Sequence, residues 1–114
     1  MNIKYNSENK YTLEIAIKLS LQRALLGEVP GNLRMVAADW NDEQNKITIF
    51  FYFDGEISPQ NEESVNCICA EVSGDFDETT SICDTPIRLD FPERLPPYSL
   101  TAYLRQEPSP LTGG

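Results

Sequence analysis

The stretch Ile47–Phe76, ITIFFYFDGEISPQNEESVNCICAEVSGDF, sets the architecture of this chain because it joins an apolar strand to an amphipathic helix. The strand is apolar on both faces, so we expect a central strand that is covered on both sides. One face carries Ile47, Ile49, Phe51 and Phe53, and the other carries Thr48, Phe50 and Tyr52. Asp54-Gly55 then predicts a turn at the end of the strand.

The helix that follows has a start signal, an apolar stripe and a stop signal. Ser58 suits the N-cap, and Pro59 suits the first helical position, where a missing N–H costs nothing. Apolar residues then recur at helical spacing: Val65, Ile68, Cys69, Val72 and Phe76. Gly74 is a suitable end for the helix.

The segments before this stretch predict a helix and a strand. Tyr11–Leu26 alternates over a short window, as a strand does, but its longer stripe and the stop at Gly27 favour a helix. Leu33–Trp40 is expected to be a strand, and the polar loop Asn41–Asn45 would turn it into the central strand as a hairpin.

The segments after it predict two more strands. Asp77–Asp84 is expected to be an irregular acidic loop, Pro86–Phe91 a half-exposed strand, and Pro92–Pro97 a connection. Leu100–Gln106 would be the last strand, with Ala102 and Leu104 facing inward.

The element order predicts an α+β fold, α-β-β-α-β-β, with two helices packed on a four-stranded, mainly antiparallel sheet. A crossover through the second helix would make one strand pair parallel. We expect one domain over residues 1–107, with a loosely ordered start over residues 1–10 and a flexible tail over residues 108–114.

Composition narrows the classes of partner. The chain has 114 residues, 18 acids, 9 bases and a net charge of −9, which disfavours nucleic acid as a direct ligand and favours a basic protein. No apolar run reaches the length of a membrane span, and the polar start argues against a signal peptide. Three cysteines, an odd count, indicate reduced thiols and a cytoplasmic protein.

The sequence offers no convincing catalytic or metal site, so we expect neither an enzyme nor a cofactor. The chain has no histidine, which excludes His-based catalysis, and its C-x-C pair lacks partners for zinc. Asp54 and Glu56 could form a carboxylate pair, but their spacing around a turn is typical of a surface. The segment Asp75–Pro86 fails as a calcium loop at Thr80 and Pro86, where glycine and glutamate are required.

Five ordered motifs carry a family resemblance over roughly residues 13–107. They are RALLGEVPGNLRMV (Arg23–Val36), FYFDGEIS (Phe51–Ser58), AEVSGDF (Ala70–Phe76), IRLDFP (Ile87–Pro92) and YLRQE (Tyr103–Glu107). In this set the chain resembles immunity proteins of bacterial contact-dependent growth inhibition systems. The resemblance implies that a monomer binds the toxic C-terminal domain of its matching effector, often a nuclease, as a heterodimer in the cytoplasm.

We hypothesise that the toxin contacts an acidic edge made by the turn, the first helical turn and the loop after the helix. Its candidate residues are the acids Asp54, Glu56, Glu62, Glu63, Asp75, Asp77 and Glu78, with Tyr52 and Trp40 as aromatic anchors. Interpretations without a binding role are a solvated face for the acids, helix-dipole stabilisation for the acids in the first helical turn, and packing for the tryptophan. Partner-specific contacts could instead lie in the loops Asn41–Asn45 and Asp77–Asp84. The alternative functions are an acidic adaptor or regulator of another basic protein, and a carboxylate-based enzyme.

Overall fold

The structure is a computed structural model that describes residues 10–108, with side chains from Leu13 onward. Its elements are α1 (Lys10–Ala24), β1 (Leu33–Asn41), β2 (Lys46–Phe53), α2 (Pro59–Ser73), β3 (Ser81–Arg88) and β4 (Leu100–Leu104). This order confirms the predicted α-β-β-α-β-β fold. The expectations for residues 1–9 and 109–114 lie outside the described residues.

The four strands form one mixed sheet in the order β3-β2-β1-β4. β1 pairs antiparallel with β2 through the predicted hairpin, and it pairs antiparallel with β4 on its other side. β3 lies parallel to β2, because the intervening α2 returns the chain to the end where β2 began. β2 is therefore a central strand, as its two apolar faces predicted.

Both faces of the sheet are covered, by different parts of the chain. On one face the helices contribute Ile17, Leu21 and Ile68 to the main core, which also contains Phe51 and Phe53. On the other face the segment of residues 89–98 covers a second, smaller cluster. That cluster contains the buried Met35, Ala37 and Tyr52, with Leu89, Leu95 and Tyr98 packed against them.

α2 begins where the sequence predicted, and its first turn is bonded to Asn32, the residue before β1. The Ser58 side chain accepts the Asn61 backbone N–H at 3.1 Å, and the Asn61 side chain accepts the Ser58 N–H at 3.0 Å. This reciprocal capping box satisfies two backbone donors that a helix start leaves unpaired. Asn61 also exchanges two hydrogen bonds, of 2.9 and 3.1 Å, with the amide of Asn32. Gly74 is the C-cap, in a right-handed conformation.

The prediction for the third strand was wrong in its position. β3 begins at Ser81, inside the expected acidic loop Asp77–Asp84, and it ends at Arg88, before Leu89 turns to cover the second cluster. The reason is that pairing with β2 holds this segment extended over eight register positions. Asp84 disturbs the apolar pattern but costs little, since it lies exposed on an edge strand.

The prediction that Leu104 faces inward was also wrong, because Leu104 is 62% exposed. The register of β4 against β1 shifts between Val36 and Ala37, so that Tyr103 pairs with Val36 and Thr101 with Ala37. This bulge inserts one residue and reverses the alternation beyond it. Ala102 packs against the core as expected, but the next inward position is taken by Tyr103.

Removing the N-cap should destabilise the domain measurably. We expect Ser58→Ala to lower the free energy of unfolding by about 1 kcal/mol, because a backbone donor of the first turn loses its acceptor. Urea denaturation measures this change. Ser73→Ala, at the exposed last position of the same helix, is the control and should change stability by less than about 0.5 kcal/mol. Equal effects of the two substitutions would contradict the capping role.

Candidate functional site

The seven predicted acids lie at opposite ends of α2 and do not make one edge. Asp54, Glu56 and the first-turn glutamates lie at the N-terminal end of α2, whereas Asp75 and the two acids after it lie beyond its C-terminal end. A helix of 15 residues is about 22 Å long. The acids must therefore be considered as two groups.

Asp54 is engaged inside the protein. Its Oδ2 accepts a hydrogen bond from the Arg105 guanidinium at 2.9 Å, and its Oδ1 accepts the Phe91 backbone N–H at 3.2 Å. The bond from Arg105 holds the pKa of this carboxyl below its usual value. Asp54 joins the turn after β2 to the segment after β4, so its first role is structural.

Arg34 is the centre of the same network, and it is almost completely buried within the apolar β1. Its guanidinium makes a bidentate pair with the Glu107 carboxylate, at 2.8 and 3.0 Å, and donates a third bond to the Leu89 carbonyl at 2.7 Å. The guanidinium carbon also lies 5.7 Å from the centre of the Phe91 ring. Arg105 Nε donates to the same Glu107 carboxylate at 3.0 Å, and Arg105 so links Arg34 to Asp54.

A second internal network holds Asp75, which is 5% exposed. Its carboxylate accepts a hydrogen bond from the Ser20 hydroxyl at 2.7 Å and another from the Arg23 guanidinium. Burial alone would raise the pKa of Asp75, but the bonds from Arg23 and Ser20 outweigh it and lower that pKa. Asp75 thus ties α1 to the end of α2.

The two proposed aromatic anchors are also packed against the domain. Tyr52 is buried, and its hydroxyl lies 2.5 Å from the Tyr98 hydroxyl beneath the covering segment. Trp40 is half-buried against the main core at the hairpin end of the sheet. Only Trp40 therefore keeps exposed surface that a partner could contact.

Five of the predicted acids are exposed, in two groups. The helix-start group is Glu56, Glu62 and Glu63, and the hairpin-end group is Asp77 and Glu78. Asp77 orders its own loop, because its Oδ1 accepts the Thr79 N–H and hydroxyl, each at 2.9 Å.

The two loops that the sequence singled out meet at the hairpin end. The Asn45 side chain donates to the Thr79 hydroxyl at 3.1 Å and accepts from the Thr80 hydroxyl at 3.2 Å. The Ser81 N–H also donates to the Asn45 carbonyl at 2.9 Å. Asn41–Asn45 and residues 77–80 therefore form one continuous surface beside Trp40.

The exterior of the domain is acidic, because exposed acids outnumber exposed bases and several arginines are already paired with carboxylates. Arg23, Arg34, Arg88 and Arg105 each pair with a carboxylate. Within residues 13–108, the exposed acids are Asp39, Asp42, Glu43, Glu56, Glu62, Glu63, Glu71, Asp77, Glu78, Asp84 and Glu93. The exposed bases over the same range are Lys18, Arg23, Arg88 and Arg94. Two of these four already hold a carboxylate, so the outward field is dominated by negative charge.

The cysteines are free thiols, and the one nearest the core is poorly reactive. Burial raises the pKa of Cys69 to about 12, so its thiol stays protonated at neutral pH. Within the described residues, no three histidine, cysteine or acidic side chains are grouped to hold a metal ion. The helices described between residues 10 and 108 are too short or too polar to cross a membrane.

The fold and its surface define a small acidic domain whose internal charges are paired and whose outer charges face solvent. A family model described as "MafI2 immunity protein" matches residues 14–107, which is most of the chain. The chain therefore belongs to the MafI2 immunity protein family, and the match confirms the prediction of an immunity protein of a toxin/immunity system. Membership implies a toxin protein as partner. No curated protein matches the chain.

The recognisable motifs contribute the residues of the internal networks. Arg34, Asp54, Asp90, Arg105 and Glu107 all fall within the quoted motifs, and each makes an ion pair. Sequence reasoning missed the Arg34–Glu107 pair. The signal was present, because a charged residue in the apolar run Leu33–Ala38 requires a buried partner.

Breaking the central ion pair should destabilise the fold strongly. We expect Glu107→Gln to lower the free energy of unfolding by about 3 kcal/mol, because Arg34 stays buried without its full counter-charge. Chemical denaturation measures the loss, with Glu93→Gln on the exposed surface as the control. A loss equal to that of the control would show that the network does not hold the domain together.

The same carboxylates should make stability depend on pH. The hydrogen bond from Arg34 holds the pKa of Glu107 below its ordinary value near 4.5, and the pKa values of Asp54 and Asp75 are also lowered. A lowered pKa in the folded state adds stability above the ordinary pKa, and this stability is lost as the pH falls through the folded value. We expect melting temperatures to drop below about pH 4.5, less steeply in Glu107→Gln. Identical pH profiles would rule out this coupling.

Proposed function

We propose that this protein binds and neutralises, in the cytoplasm, the toxic C-terminal domain of its matching contact-dependent inhibition effector. We further propose that the toxin is a nuclease with a basic substrate cleft and that the complex is one-to-one. The observation that carries the proposal is the acidic exterior: among residues 13–108 the exposed acids outnumber the exposed bases, and two of those bases, Arg23 and Arg88, are already paired with carboxylates. Immunity by capture then requires no catalysis by this chain.

The electrostatic argument connects this surface to a nuclease. A nuclease binds phosphates through lysine and arginine, so its substrate surface is positive. An inhibitor with a net charge of −9 is attracted to that surface, which raises the rate of encounter. The fast encounter matters because a toxin that arrives in the cell must be captured before it finds its substrate.

The exposed acids of both groups are the proposed contacts. Glu56, Glu62 and Glu63 lie around the start of α2, and none of them belongs to the internal networks described above. Asp77 and Glu78 lie beside the half-buried Trp40, which would supply an aromatic anchor at the hairpin end. Asp54, Asp75 and Tyr52 act indirectly in this proposal, because they shape the scaffold that presents these contacts.

Co-expression tests the function. The protein should restore growth to bacteria that produce the toxin domain encoded beside it, and cellular RNA and DNA should stay intact. The variant Glu56→Gln/Glu62→Gln/Glu63→Gln should bind the purified domain with an on-rate roughly tenfold lower than that of the wild type. Its on-rate should also depend less on salt concentration. Glu93→Gln, on the segment that covers the opposite sheet face, should bind as the wild type does.

Two outcomes would contradict the proposal. If the wild-type protein neither binds the neighbouring toxin domain nor restores growth, the immunity assignment to that effector is wrong. If it instead captures a basic protein unrelated to any toxin, the adaptor function is the better explanation. A folded triple variant with unchanged binding would move the contacts away from the start of α2.

A further inference from the structure

The exposed large apolar side chains of this protein are concentrated on α1 and the turn after it. Within the described residues they are Ile15 (56% exposed), Leu19 (49%), Leu26 (76%), Val29 (39%) and Leu104 (62%). Only Leu104 belongs to another part of the fold. Such a concentration is uncommon unless the surface binds something.

Three of these residues line up as one stripe. Ile15 and Leu19 are one helical turn apart. Backbone bonds from Leu25 to Leu21, at 2.9 Å, and from Leu26 to Arg23, at 3.2 Å, continue the winding beyond the end of α1. Leu26 comes eleven residues after Ile15, about three turns, and so falls on the same side.

A shallow groove lies between the Leu26 end of this stripe and α2. Leu26 and Glu28 line one wall, and Cys67, Ala70 and Glu71 line the other. Cys67 and Ala70 are small and exposed, and helical spacing places them on one stripe with Glu63. A partner side chain can therefore reach down to the groove floor, which the Arg23–Asp75 pair closes.

The charges at the edge of this surface indicate the charge of its partner. Glu28 and Glu71 form an acidic rim where the groove meets Leu26, and Glu71 also attracts the Arg23 guanidinium, which is already paired with Asp75. The other exposed base on α1 among the described side chains is Lys18. An apolar stripe with an acidic rim at one end is complementary to apolar side chains flanked by lysine and arginine.

Other occupants fit less well. A second copy would place the same acidic rim against itself across a two-fold axis, with −9 on each chain. The described segment that could cover an apolar face, residues 89–98, lies on the opposite side of the sheet.

We propose that this helix-layer face, formed by the stripe Ile15, Leu19 and Leu26 and by the groove beside Leu26 with its rim of glutamates, is the main docking surface for the toxin domain. The inference rests on the proposed function. It adds an apolar hot spot to the electrostatic capture, because the apolar centre of an interface supplies most of its affinity and the charged rim mainly sets the rate of encounter.

The test is a triple substitution, Ile15→Gln/Leu19→Gln/Leu26→Gln. Glutamine is a good helix former and leaves the charge unchanged, so any effect comes from the lost apolar surface. We expect the Kd for the purified toxin domain, measured by calorimetry, to rise roughly 100-fold. Leu104→Gln, an equally exposed leucine on the other side of the sheet, is the matched control and should leave Kd within about twofold.

Each outcome decides the inference. A folded triple variant, by circular dichroism and melting temperature, that binds as tightly as the wild type overturns this docking surface and leaves the proposed function intact. Failure of the wild type to bind the toxin domain overturns both. If light scattering shows that the wild type is a dimer and the triple variant is a monomer, the face is a self-association surface, and this result also overturns the inference.

Discussion

A buried arginine in a central strand is the main constraint on this fold. Arg34 lies between Leu33 and Met35 in β1, where an unpaired guanidinium would be prohibitively costly. Its partners come from far along the chain: the Glu107 carboxylate, 73 residues away, and the Leu89 carbonyl, 55 residues away. Satisfying one charge therefore brings the residues after β4 and the segment after β3 back to β1.

The same pairing shapes the electrostatics of the exterior. The arginines that form ion pairs with Asp54, Asp75, Asp90 and Glu107 contribute little positive potential to the surface. The domain therefore keeps a strongly acidic outside while it avoids uncompensated charge inside. Scaffold and proposed binding surface are linked in this way, although different residues form them.

The elements with strong local patterns could be predicted from the sequence, and those that depend on distant contacts could not. β2 and α2 were predicted correctly because alternation, capping and helical spacing are visible in consecutive residues. The position of β3 was predicted wrongly because its extended form comes from pairing with β2. The orientation of Leu104 was predicted wrongly because a bulge has no clear signature in the sequence. Asp54 and Asp75 were taken for surface acids because their arginine partners lie 51 and 52 residues away.

The residues that build the fold differ from those proposed to contact the toxin, and hydrogen–deuterium exchange with and without the purified toxin domain tests this separation directly. We predict that the toxin slows exchange in α1, in the turn after it and in α2, while amides around Arg34 and in residues 89–98 stay unchanged. Protection centred on residues 89–98, or no protection anywhere, would contradict it.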